Sequence, residues 1–119
     1  MRALLAVAAA SLLCGCATDV TGAEAHRLVE QGARLLDVRS REEFAEVHID
    51  GSQNIPVEEL KARLGELPRD RPIIVYCHSG ARASAAVVIL GKAGFRKVHN
   101  MGTYYRWSEA RRPPTPSLF

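Results

Sequence analysis

The sequence predicts one α/β domain with a mostly parallel sheet, and three observations support this prediction. Short apolar runs alternate with amphipathic segments, and residues typical of helix caps and turns mark the changes between them. Residues 73–76 are apolar without alternation, which is typical of a strand covered by helices on both faces. The chain has 119 residues, 47% hydrophobic and 24% charged, which fits one globular domain rather than several or a disordered chain.

The first half of the domain is predicted to run helix, strand, helix. Residues 21–24 have the spacing of a capping box and predict a helix that Gly32 ends in a left-handed conformation. Residues 35–38 follow as a predicted strand. Residues 40–43 repeat the capping-box spacing and predict a short second helix. Gly51 then turns the chain into a brief extended run.

The second half adds the central strand and the longest helix. Pro56 suits the first turn of a helix that reaches Leu64, and the central strand follows a loop marked by prolines. After residues 77–82, apolar side chains recur three and four positions apart and predict a helix that ends at Gly94. A last short strand is expected around Val98.

The N-terminal segment has the pattern of an export signal. A positive charge precedes the apolar run at residues 3–13, which is too short to span a bilayer. Residues 13–16 resemble the lipobox of bacterial lipoproteins, so residues 1–15 are predicted to be a signal peptide and Cys16 the lipidated N-terminus. Ordinary cleavage near Ala17 is the alternative. We expect a periplasmic protein that a lipid anchor attaches to a membrane.

The rest of the chain indicates which classes of partner to expect. Residues 16–112 are predicted to form the domain, and the proline-rich residues 113–119 a flexible tail. A formal net charge of +3 gives no support for nucleic-acid binding. The four histidines and Cys77 show no metal-ligand spacing and no nucleotide loop is present, so we expect neither a metal nor a dissociable cofactor. No oligomeric state is predicted.

Residues 77–82 connect the central strand to a helix and are the candidate functional site, because sites in open α/β sheets lie beyond the carboxyl ends of strands. Cys77 would face unpaired amides and the positive end of the helix dipole, which stabilise a thiolate nucleophile. Gly80 lets the loop curl into a cup of amides, and Arg82 adds a permanent positive charge. Alternatively, Cys77 is a buried small hydrophobic residue without a chemical role.

Several segments together resemble single-domain rhodaneses, and they are most similar to the periplasmic phage-shock type. They are residues 36–39 with 43–44, 48–56, 75–84 and 94–102. The resemblance implies a three-layer α/β/α domain with a mostly parallel five-stranded sheet. It also implies that Cys77 takes a sulfane sulfur from a small anionic donor such as thiosulfate and passes the persulfide sulfur to cyanide or a thiol. Thr103 stands where the family commonly has a second glycine, and two tyrosines follow, so a bulkier mouth is expected.

The resemblance also assigns roles to individual residues. Cys77 matches the persulfide-bearing nucleophile. Arg82 is expected to fork onto a carboxylate such as Asp37 or onto an oxyanion of the donor. Asp37, Arg39 and His48 are expected to support the structure. The substrate-binding set that the resemblance implies is His78, Ser79, Gly80, Ala81, Arg82 and Ala83, with His78 tuning donor binding.

Two functions from other classes stay open at this stage. A cysteine-based phosphatase or arsenate reductase would use the same strand, loop and arginine, but those enzymes have five residues between cysteine and arginine. Here four residues separate Cys77 from Arg82, which makes the loop small for a tetrahedral phosphoryl group. The other alternative is a noncatalytic persulfide carrier or redox partner, which would use Cys77 without efficient turnover.

Overall fold

A five-stranded parallel sheet organises residues 18–110, the part of the chain that the computed structural model describes. The predicted signal peptide, the predicted lipidation site Cys16 and the tail at residues 113–119 lie outside the described residues. The strands are β1 (Thr18–Asp19), β2 (Arg34–Asp37), β3 (Gln53–Asn54), β4 (Ile73–Cys77) and β5 (Val98–Thr103), in the order β1-β5-β4-β2-β3. All neighbouring pairs run parallel.

Helices cover both faces of this sheet. They are α1 (Gly22–Glu30), α2 (Arg41–Glu46), α3 (Val57–Leu60), α4 (Ala81–Lys92) and α5 (Tyr105–Ala110), with a 3-10 segment at Lys61–Glu66 after α3. One apolar core packs the sheet against α3 and α4, and a second core packs the other face against α1 and α5. The three-layer α/β/α architecture predicted from the sequence is therefore confirmed.

Local capping chemistry sets the ends of the first two helices as predicted. The Thr21 hydroxyl accepts the amide of Glu24 at 3.1 Å, and the Glu24 carboxylate accepts the amide of Thr21 at 2.7 Å. Ser40 and Glu43 make the same reciprocal pair at the start of α2. Gly32 follows α1 with a φ of 105°, a conformation that glycine adopts at little cost.

Strand β4 holds the centre of the sheet between β2 and β5. All five of its residues are buried, because each face of the strand lies under helices. Cys77 ends this strand and pairs in register with Thr103 of β5. The carboxyl edge of the central strands therefore carries the candidate nucleophile, as predicted.

Three local features differ from the expectation. Strand β1 was not indicated by the sequence pattern, because it is only two exposed residues long. The helix expected to reach Leu64 ends as α-helix at Leu60, and Arg63 takes non-helical angles of −119° and 20° within the 3-10 segment. Helix α4 begins at Ala81, so Ala81 and Arg82 belong to its first turn rather than to the loop. Across residues 18–110, the helices are too short or too polar to cross a bilayer.

Candidate active site

Cys77 lies at the junction of β4 and α4 with none of its surface exposed to solvent. Only residues 78–80 separate the end of the strand from the first turn of the helix. The sulfur therefore faces the N-terminus of a 12-residue helix, where backbone amides lack intrahelical acceptors and the dipole is positive. Amides and a positive dipole end at this position can stabilise negative charge that develops on the sulfur during a reaction.

Two backbone amides point at the sulfur. The amide of Gly80 donates to Cys77 Sγ at 2.9 Å, and the amide of Ala83 donates to it at 3.4 Å. Gly80 has a φ of 108° and a ψ of −24°, a left-handed conformation that aims its amide into the loop. Of the six amides at residues 78–83 expected to form the cup, these two contact Sγ.

Arg82 is held by Glu43 of helix α2 rather than by Asp37. Its guanidinium forks onto both carboxylate oxygens of Glu43, at 2.7 and 3.1 Å. Arg82 thus forks onto a carboxylate as expected, but Asp37 is the wrong partner, because the capping box of α2 fixes Glu43 opposite the first turn of α4. The Arg82 guanidinium and the Ser40 amide lower the pKa of Glu43 to about 2, and the same fork raises the pKa of Arg82.

The Asp37 carboxylate pairs instead with Arg39, two residues further along the chain. The Arg39 side chain donates to both carboxylate oxygens of Asp37 at 2.7 to 3.1 Å, and its backbone amide donates to the same carboxylate at 2.9 Å. Arg39 also donates to the carbonyl of Val47 at 2.6 Å. Both charged side chains are buried, and their pairing satisfies the charges that burial would otherwise penalise. The pair has the geometry of a structural support.

His48 and Tyr76 hold the segment between α2 and β3. His48 Nδ1 lies 2.8 Å from the carbonyl of Phe44, and the two rings stack at 3.7 Å. The Tyr76 hydroxyl accepts the amide of Ile49 at 3.2 Å and bonds to Ser52 Oγ at 2.9 Å. Burial raises the pKa of Tyr76, so its hydroxyl stays neutral. The described contacts of His48 lie within its own segment.

Aromatic side chains stand beside the loop on the solvent side. The Tyr105 hydroxyl lies 3.3 Å from His78 Nε2, and the Tyr104 and Tyr105 rings are 4.5 Å apart. The amide of Tyr104 donates to the carbonyl of Cys77 at 3.1 Å, which fixes this pair next to the site. The bulky mouth expected from the two tyrosines is present, but the bond between Tyr105 and His78 joins residues 27 apart and has no local sequence signal.

A polar cavity of about 360 Å³ adjoins the loop and was not foreseen from the sequence. Its lining comprises Asp19, Ser79, Gly80, Ala81, Ser84, Asn100, Gly102, Thr103 and Arg106. A larger cleft of about 550 Å³ lies between α1 and α5 and contains no residue of the cysteine loop. We therefore associate the smaller cavity with the chemistry of the loop. Within residues 18–110, no three His, Cys, Asp or Glu side chains are grouped to hold a metal ion.

The fold and the loop together define a class of protein: an α/β/α domain with a buried cysteine at a strand end and amides converging on its sulfur. Comparison with known families agrees with this class. The model of the rhodanese-like domain matches residues 21–110. The chain belongs to the rhodanese-like domain family.

Individual relatives show how far the similarity extends. YqhL of Bacillus subtilis is 38% identical over 76 residues, which cover 63% of this chain and 60% of YqhL, so the chain spans less than two thirds of that protein. Thiosulfate sulfurtransferase GlpE of Pseudomonas fluorescens is 35% identical over 85 residues, covering 71% of this chain and 78% of GlpE. The human single-domain sulfurtransferase TSTD1 superposes with a TM-score of 0.66 at 31% identity, covering 81% of this chain and 97% of TSTD1.

Proposed function

We propose that this protein is a sulfurtransferase that carries a sulfane sulfur on Cys77 between a small anionic donor and a nucleophilic acceptor. The observation that carries the proposal is the pair of amide bonds from Gly80 and Ala83 to Cys77 Sγ. Such donors stabilise the thiolate before the reaction and can follow the negative charge when it moves to an added sulfur. Sulfurtransferases among the relatives support the same assignment.

In the first half-reaction, the Cys77 thiolate attacks the outer sulfur of thiosulfate. A bond forms between Sγ and that sulfur, and the sulfur–sulfur bond of thiosulfate breaks. Its electron pair leaves with sulfite, and the negative charge of the thiolate passes to the outer persulfide sulfur. No proton or external electron is needed. Ala81 and Arg82 begin α4, where amides lack intrahelical acceptors, and we propose that their amides donate to this added sulfur.

In the second half-reaction, the acceptor attacks the outer persulfide sulfur. With cyanide, a carbon–sulfur bond forms, the persulfide bond breaks and its electron pair restores the Cys77 thiolate. The product is thiocyanate. The enzyme alternates between two covalent forms, so steady-state kinetics should follow a ping-pong pattern.

Arg82 is proposed to contribute charge while its position is set by Glu43. The fork fixes the guanidinium at the start of α4, and the lowered pKa of Glu43 keeps that carboxylate ionised at neutral pH. An arginine held in this way orients the first turn of the helix and adds positive potential for an anionic donor.

The loop geometry favours sulfur over phosphoryl chemistry. The two described amide bonds converge on one atom, and four residues separate the cysteine from the arginine. A phosphoryl group needs donors spread around three oxygens, which requires a wider ring. We therefore rank the phosphatase and arsenate reductase alternative below sulfur transfer.

The test is turnover of thiosulfate and cyanide by the full chain, followed by thiocyanate formation. Cys77→Ser should abolish turnover and leave the thermal unfolding curve unchanged, because serine keeps the size of the side chain but cannot hold a sulfane sulfur. Mass spectrometry of the wild type should show Cys77 heavier by one sulfur atom after donor treatment. An unmodified Cys77 together with full activity in the serine variant would refute the mechanism. Persulfide formation without turnover would instead indicate a carrier.

We also propose that the protein is exported and lipidated on Cys16, as in periplasmic rhodaneses of the phage-shock type. The support is the apolar run at residues 3–13 and the lipobox-like residues 13–16. Labelling with a radioactive fatty acid should mark the protein, and Cys16→Ala should remove both the label and the membrane attachment. Cys14→Ala is the matched control and should keep the label, because residue 14 is cleaved away. Label that persists in Cys16→Ala would contradict the proposal.

A further inference from the structure

One end of the domain carries a concentration of positive charge that the proposed chemistry does not use. We call it the basic end and define it as Arg69, Arg71, Lys92, Arg96 and Lys97, all of which are exposed. Four of these residues precede the first residues of β4 and β5, and Lys92 lies in the last turn of α4. They therefore lie at the amino edge of the parallel sheet, opposite the edge that carries the Cys77 loop.

The basic end arises from the way charges are distributed over the surface, not from an excess of basic residues in the domain. The chain has 16 Lys and Arg and 13 Asp and Glu, and three of the arginines (Arg2, Arg111 and Arg112) lie outside the described residues. Residues 18–110 thus carry no net charge. Within the segments 69–71 and 92–97, Asp70 is the one acidic residue, and it lies a loose 3.8 Å from Arg71.

The opposite edge carries charges of both signs rather than an excess of cations, because exposed carboxylates stand there beside exposed arginines such as Arg41 and Arg106. Glu42, Glu46 and Asp50 are exposed on and after α2, which follows the carboxyl end of β2. The domain is therefore polarised, with excess positive charge at the amino edge of the sheet and charges of both signs near the catalytic edge. Such an asymmetry orients a protein in an external field even when its net charge is zero.

One cation of the basic end, Arg69, is held by contacts with α4 and the turn that follows it. The Arg69 guanidinium lies 4.0 Å from the centre of the Phe95 ring and donates to the carbonyl of Ala93 at 3.0 Å. A shallow cleft of about 320 Å³ is lined by Arg69, Asp70, Gly94, Arg96 and Lys97. Cations around a cleft suit phosphate groups, which accept hydrogen bonds from several donors at once.

The path of the chain indicates which polyanion meets this surface. Thr18 of β1 pairs in parallel with His99, two residues after Lys97, so the chain reaches β1 at the amino edge of the sheet. Cys16 is two residues before Thr18, which is at most about 7 Å of extended chain. The predicted lipid therefore attaches beside the basic end. Cys77 is four residues along β4 from Ile73, or about 13 Å farther from that edge.

We propose that the basic end docks on the anionic phospholipid surface of the membrane that holds the lipid anchor, with the catalytic loop facing away from the bilayer. The position of the anchor rests on the proposed lipidation of Cys16. The charge polarity and the location of β1 are independent of it. A lipid chain and a basic surface together hold a protein on a membrane more firmly than either alone. A nucleic acid would meet the same cations, but the proposed lipid anchor places the basic end beside a membrane.

The three lysines of the chain can report this orientation, because two of them lie in the proposed membrane contact and one lies outside it. Lys92 and Lys97 belong to the basic end, whereas Lys61 is exposed at the start of the 3-10 segment. The lipidated full-length product would be reconstituted into vesicles of phosphatidylcholine alone or with phosphatidylglycerol. A water-soluble acetylating reagent at low conversion, read by mass spectrometry, then gives the rate at each lysine.

The acetylation rates of Lys92 and Lys97 are each divided by the rate of Lys61. These ratios should be at least about fivefold lower in vesicles with phosphatidylglycerol than in neutral vesicles. Arg71→Glu with Arg96→Glu should remove this protection. Arg41→Glu with Arg106→Glu makes the same charge change at the opposite edge and should retain it. Thermal unfolding of both double variants checks that each is folded.

Several results would overturn the proposal. Equal relative rates in both vesicles would show that the lipid tethers the domain without docking it. Protection that survives Arg71→Glu with Arg96→Glu would place the contact elsewhere. Protection by added RNA but not by anionic vesicles would assign the basic end to nucleic acid. The assay does not measure sulfur transfer, so its outcome is independent of the proposed activity. Absence of fatty-acid label in the wild type would show separately that the lipidation proposal has failed.

Discussion

Replacing Gly80 with alanine tests whether the backbone conformation of the cysteine loop holds the sulfur. Gly80 has a φ of 108°, and its amide donates to Cys77 Sγ at 2.9 Å. A Cβ at this position would have no atom within 4 Å, so the substitution meets no steric clash with the rest of the protein. The cost arises from the left-handed conformation itself, about 1 to 2 kcal/mol for a residue with a Cβ.

The expected loss in free energy of unfolding is about 1 kcal/mol, because alanine also restricts the unfolded chain and so offsets part of the strain. In a domain of this size, that loss lowers Tm by about 4 to 8 °C. The loop can relieve the strain by rotating the Gly80 amide away from the sulfur. A displacement of about 1 Å can reduce a rate about a hundredfold, and we expect kcat/KM for thiosulfate to fall at least tenfold.

Alanine substitutions at two other glycines distinguish the effect of backbone strain on stability from the effect of losing the Gly80 amide on activity. Gly32 has a φ of 105° and also no atom within 4 Å of an added Cβ, so Gly32→Ala should cost the same stability without affecting turnover. Gly65 lies outside the left-handed region with the same free space, and Gly65→Ala should change neither property. Thermal unfolding and thiocyanate formation would be measured on all three variants. If Gly80→Ala and Gly32→Ala lose equal stability and both keep full activity, the argument from the Gly80 amide is wrong.

Three further predictions concern the surroundings of the loop. Because its carboxylate has a pKa of about 2 in the folded protein against 4.5 ordinarily, Glu43 should stabilise the fold above pH 4.5 and lose that contribution as pH falls towards 2. Glu43→Gln should lower the free energy of unfolding at pH 7 by about 1 kcal/mol, a modest amount because both side chains of the fork are 34% exposed. The variant should also show a smaller change of Tm between pH 5 and 3 than the wild type. If Tm depends on pH equally in both proteins, Arg82 contributes no stability through this contact. Tyr105→Phe removes the bond to His78, so kcat/KM for thiosulfate should fall a few-fold while Tm stays within about 2 °C of wild type. If kcat/KM is unchanged at every pH tested, His78 has no role in the mechanism through this bond. One glycine inserted after Gly80 should lower thiocyanate formation about a hundredfold, whereas wild-type hydrolysis of an aryl phosphate at enzymatic rates would favour the phosphatase alternative.

The features that the sequence predicted correctly are those encoded by neighbouring residues. Both capping boxes link residues three apart, and the left-handed turn at Gly32 follows its helix directly. The apolar run of β4 and the loop after it were predicted for the same reason. Each of these signals is independent of how the chain folds over longer distances.

The missed features depend on which distant segments meet. Arg82 could reach carboxylates on several elements, and its choice of Glu43, 39 residues away, follows from the docking of α2 against α4. Strand β1 exists because two residues pair with β5, more than 80 positions along the chain. The polarity of the basic end likewise arises only when the turns before β4 and β5 come together at one edge of the sheet.

The complete burial of Cys77 has a consequence for its oxidation state. Disulfide exchange requires direct contact between a thiolate and the sulfur that it attacks, and a sulfur without exposed surface denies that contact to glutathione or to another protein. No second free cysteine is available among residues 18–110 to form an internal disulfide. The same burial applies to thiosulfate and to the sulfur acceptor, so sulfur transfer and oxidation of Cys77 would both depend on an opening of the loop that exposes the sulfur.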